Sequence, residues 1–92
     1  MPQIFSIGSY VVYFWSDEGE PKEPVHVHVA QGRPQENGTK IWITKSMHCI
    51  VAHNKSKIPM HILNDIMSVI EVRTMYICSE WKKHFEEISY YC

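Results

Sequence analysis

The chain has 92 residues, a 45% hydrophobic fraction and a formal net charge of −1. That size supports one compact domain over 1–92 and excludes two, and the apolar content excludes a disordered chain. The near-neutral charge excludes a nucleic-acid binder driven mainly by electrostatics, which needs a basic excess.

The elements follow in chain order. Residues 9–15, SYVVYFW, are β-branched and aromatic and predict a first strand. Residues 16–24, SDEGEPKEP, hold two prolines and four carboxylates (Asp17, Glu18, Glu20, Glu23), a solvated loop. VHVHVA at 25–30 alternates strictly and predicts a second strand; QGRPQENG at 31–38 is a turn-rich connection. TKIWITK at 39–45 alternates again, and MHCIVAH at 47–53 predicts a fourth strand joined to it by a hairpin.

Beyond Pro59 the period changes. Ile62, Ile66, Ile70, Ile77, Trp81, Phe85 and Ile88 recur at helical spacing, widened by Leu63, Met67 and Val69. Pro59 suits a first helical turn and Ser56 a cap before it. Around Val72–Thr74 the stripe weakens, so the segment is either one kinked helix or two helices with Thr74 as a cap. Strands followed by helices predict an α+β fold: an antiparallel sheet of about four strands with the helical segment on one face. The other face is then open.

The second strand raises the functional question. Alternation puts Val25, Val27 and Val29 toward the helices and His26 and His28 on the open face. The third strand adds Lys40, Trp42 and Thr44 to that face. The first adds an aromatic ring, Tyr13 if the set Val11, Tyr13 and Trp15 turns outward. Aromatic rings stack on bases and lysine meets phosphate. Imidazoles move protons. An aromatic, partly polar surface also suits a protein partner. Simple packing of the histidines against neighbouring rings competes with all three.

Two imidazoles are too few for a metal site, and a third ligand from His48, His53 or the acidic loop has no fixed geometry, so no metal or other cofactor is expected. The three cysteines show no paired spacing and predict reduced thiols. The first residues lack a signal-peptide pattern and no apolar run reaches membrane-spanning length, so a cytoplasmic protein is expected. No phosphate-binding loop, nucleophile elbow or dinucleotide fingerprint is present.

The start MP-I, the run YVVYFWSDEGEPKEPVHVHV and the late segment EWKKHF resemble the small bacterial family known as domain of unknown function 4160. Its specific part is the P-x-H-x-H strand, here Pro24, His26 and His28. Glu23 and Arg73 depart from the family pattern, where a second proline and a polar residue such as Asn are common. The resemblance implies a stand-alone cytoplasmic protein, often encoded beside another small protein, as toxin–antitoxin modules are.

Two functions follow as expectations. In the first, the chain belongs to a two-protein toxin–antitoxin-type module and acts on RNA. His26 and His28 serve as general base and acid, Lys40 steadies the phosphate, and Trp42 and Tyr13 bind. In the second, it is a non-catalytic module that meets a small partner protein, or a second copy of itself, through the same face. Under both, the histidines are expected to stand clear of the core and to contribute little to stability.

Overall fold

The computed structural model describes residues 3–15 and 23–92. Asp17, Glu18 and Glu20 of the expected acidic loop lie outside them. Five strands form one sheet in sequence order: β1 (Gln3–Ile7), β2 (Tyr10–Tyr13), β3 (His26–Gln31), β4 (Thr39–Ile43) and β5 (Cys49–His53), each antiparallel to the next. Two helices follow, α1 (Met60–Val72) and α2 (Thr74–Phe85). The fold is α+β, with one strand more than the four expected.

The additional strand is β1. It pairs with β2 through the two-residue turn Gly8–Ser9, where Gly8 takes φ of 58°. A left-handed residue in a two-residue loop matches the twist of the strands it joins, and glycine adopts it without steric cost.

The expected face assignment holds for the core. Val12, Val27, Val29, Ile41 and Ile43 pack with Leu63, Ile66, Ile70, Ile77 and Trp81 into one buried cluster. Burying each such side chain contributes about 1.5–3 kcal/mol, which makes this cluster the main stabilising element. Val11, Tyr13 and Ala30 form a smaller cluster on the opposite face, with Trp15 against it.

The helical segment is two helices. Arg73, at φ −111° and ψ 15°, ends α1 and opens α2. Neither expected cap forms. The Thr74 hydroxyl donates back to the Glu71 carbonyl oxygen, and Ser56 pairs with Thr39 and the Val29 carbonyl instead of capping α1. Arg73 lies over the Phe5 ring, 5.0 Å from its centroid. That long-range contact to β1 gives the break a cation–π anchor.

At the far end Glu86, at φ 63°, terminates α2. The chain then crosses the end of the sheet. The Val25 amide donates to the Ser89 carbonyl at 2.8 Å, and the Lys45 amide to the Cys92 carbonyl at 2.9 Å.

Candidate functional site: the histidine strand and its cover

Residues opposite each other in antiparallel strands share a face. Two rows therefore cross the side of the sheet away from the helices. Tyr13, His28, Lys40 and His53 make one row. His26, Trp42 and Ile50 make the other. All five residues expected at the site, His26, His28, Lys40, Trp42 and Tyr13, stand together there.

The face is not open in the way expected. His26 is 0% exposed and His28 only 6%. Two segments cover them. Over the first row lies the connection between β3 and β4. The Tyr13 hydroxyl donates to the Gln35 carbonyl at 2.6 Å and accepts from the Gln35 amide at 3.1 Å. Gly38 sits so close that a Cβ there would collide with the Tyr13 hydroxyl and lie 3.2 Å from the His28 Cβ. Over the second row lies residues 86–92, with the Tyr91 ring stacked on Trp42 at 5.0 Å and an interplanar angle of 2°.

His26 is the first residue of β3, at the end of the sheet that α2 and the crossing segment pass. The Trp81 ring reaches it at 5.2 Å, and His28 and Trp42 stand edge-on at 5.1 and 5.6 Å. Its Nδ1 lies 3.0 Å from the Pro24 carbonyl oxygen; a carbonyl only accepts, so Nδ1 carries the proton. His28 stacks on Tyr13 at 5.6 Å. Both histidines are thus packed among rings. The expectation that they stand clear of the core is corrected, because helices are not the only elements able to cover a sheet.

Lys40 is engaged as well. Its ammonium lies 3.2 Å from Glu23 Oε1 and 4.4 Å from the Trp42 ring centroid. A cation held by a carboxylate and an aromatic face is partly neutralised before any phosphate arrives.

His53 was named in the sequence only as a third metal ligand, and strand parity hides its true place. Cys49 and Val51 pair with Ile43 and Ile41 on the helix side. An unbroken alternation would send His53 there too. The register shift between Lys40 and Ile41 returns it to the histidine side. Desolvation first, then the neighbouring Lys55, His28 and Lys40, holds its pKa below the usual histidine range. Among the described residues no three His, Cys, Asp or Glu side chains stand together as metal ligands do.

What this face offers to solvent is apolar and aromatic. Ile50 is 41% exposed, Tyr91 59%, and Trp42 half-buried between them.

A five-stranded antiparallel sheet, two helices on one side and a histidine-bearing central strand on the other define a small α+β protein with a ring-packed sheet face. Residues 9–82 match the family described as Domain of unknown function (DUF4160), and the chain belongs to that family. The match takes in Tyr13, His26, His28, Lys40, Trp42 and Trp81 and stops before Tyr91. No curated protein and no solved structure matches the chain. Among the described residues no helix is long and apolar enough to cross a membrane.

Proposed function

We propose that this chain is one component of a two-protein toxin–antitoxin-type module of the bacterial cytoplasm, and that it works by binding a small partner protein through the sheet face. One feature supports this over chemistry: Ile50 and Tyr91 are exposed on that face, with Trp42 half-buried between them and Lys40 beside it, while the two imidazoles lie beneath. Tryptophan and tyrosine on a rigid base are the side chains that dominate protein interfaces. Buried His26 adds to that rigidity, since its ring stands edge-on against Trp42.

Action on RNA is a second reading, favoured by the Trp42–Tyr91 stack with an ammonium above it, an arrangement that also suits bases and phosphate. Cleavage by His26 and His28 as base and acid requires both imidazoles to reach the ribose, and so requires the covering segments to move.

Co-expression with the product of an adjacent small gene tests the proposal. A complex that survives size exclusion, and that weakens at least tenfold in a Trp42→Ala, Tyr91→Ala double variant, is the expected result. Absence of a complex, or a complex indifferent to both rings, overturns it. Self-association, or cell-growth arrest by this chain that depends on His26 and His28, would assign the face differently.

A further inference from the structure

A second concave surface lies on the helix side, away from the histidine rows. It is a pocket of about 700 Å³ between α2, the β4–β5 turn and the segment that follows α2. That volume falls within the range of small-molecule sites, which are mostly apolar with a few placed polar groups. Its apolar part is Met47, Met75, Cys78 and the Tyr90 ring; its polar part is Ser79, Lys82 and Lys83. Among the described residues no carboxylate lines it.

Two features mark the pocket as more than a seam between elements. Met75 projects from α2 with 78% of its surface exposed, at one side of a site that would cover it. Unbranched and polarizable, methionine adapts to ligands of varied shape. The charge is also one-sided. Lys83 is held by Glu80 at 2.8 Å, whereas Lys82 makes no ion pair among the described residues. An apolar cleft with an uncompensated ammonium at its rim complements a molecule with an apolar body and one negative end. A neutral apolar ligand leaves the ammonium unused, and a cationic one is repelled by Lys82.

We infer that this pocket binds a small amphipathic carboxylate, its apolar body against Met47, Met75 and Tyr90 and its carboxylate on Lys82. The site is separate from the proposed partner surface. Tyr90 lines the pocket, whereas its neighbour Tyr91 stacks on Trp42 across the sheet.

Decanoate is the probe, below its micelle concentration, followed by amide chemical shifts of the whole chain. Saturable shifts are expected at Met47, Met75, Cys78, Ser79 and Tyr90. Decylammonium should bind at least tenfold more weakly, a comparison that needs no variant. Lys82→Glu, at an exposed position, should weaken decanoate at least tenfold while leaving the urea midpoint unchanged, and Lys57→Glu should leave binding unaltered. The inference is overturned if decanoate gives no saturable shifts there, if decylammonium or decanol binds as well, or if Lys82→Glu has no effect. It is also overturned if a peptide of leucine and glutamate occupies the pocket while decanoate does not, which would make the surface a protein-docking groove.

Discussion

Truncating His26 to alanine should destabilise the protein by about 2–3 kcal/mol. The side chain is fully buried, with three rings within 5.6 Å and its Nδ1–H on the Pro24 carbonyl. Removing a buried aromatic ring costs roughly 3–5 kcal/mol from lost transfer and residual cavity. Imidazole is smaller and more polar than phenyl, which lowers that figure. The lost hydrogen bond restores about 1 kcal/mol. A domain of this size has about 5–14 kcal/mol in total, so the variant should fold but melt about 10–20 °C lower. Val27→Ala, losing two buried methyl groups, should cost about 2 kcal/mol, a similar amount. His26→Phe should restore the ring packing and cost about 1 kcal/mol for the hydrogen bond alone. Urea unfolding with an unchanged m-value reads each difference. If His26→Ala costs less than about 0.5 kcal/mol while Val27→Ala costs about 2 kcal/mol, the His26 ring is not packed among Trp81, Trp42 and His28.

Gly38→Ala should cost roughly 1–3 kcal/mol, because the added Cβ meets the Tyr13 hydroxyl, and part of that cost should vanish in the Tyr13→Phe background; equal costs in both backgrounds would separate the two residues. The Glu71 pKa is held below the usual carboxylate range, first by the Cys49 backbone N–H and then by His48. Its stabilising effect is therefore complete above the unfolded carboxylate value of about 4.3 and lost as pH falls through the lower folded value. Urea midpoints from pH 7 to pH 3 should drop less steeply for Glu71→Gln. The Cys49 thiol is pushed up to about 12 by burial and then by Glu71, and burial raises that of Cys78, while Cys92 is exposed. Iodoacetamide at pH 8 should thus label Cys92 first by mass spectrometry, since the thiolate is the reactive form.

The valine half of the alternation at 25–30 is legible because period-2 patterning and burial agree at Val27 and Val29, and the helical stripe is legible because helical spacing and burial agree at Leu63, Ile66 and Ile70. The β1 hairpin is absent from the expected elements although the sequence carries its signal: a Gly-Ser pair between apolar runs is a two-residue turn. Other features have no local signature. Whether Val72–Thr74 bends or breaks was undecidable from propensity, and Arg73 is anchored by Phe5, 68 residues earlier in the chain. His53 changes face at a bulge, where the parity rule that places the residues of β3 no longer applies. The histidine cover comes from residues 35–38 and 86–92, whose contacts with Tyr13, Val25, Trp42 and Lys45 are set by tertiary structure alone.

Whether the histidine pair is foundation or working surface can be read by site-resolved modification of the imidazoles. Diethylpyrocarbonate at neutral pH, quantified by peptide mass spectrometry on the folded protein, reports each ring's access to solvent. His61 and His84 lie on exposed helical positions, and His26 and His28 lie beneath the covering segments. His26 and His28 should react at least tenfold more slowly than His61, and the difference should disappear in urea. Modification of His26 and His28 at the rate of His61 in the folded protein would contradict it and return the pair to the solvent-facing role that the sequence suggests.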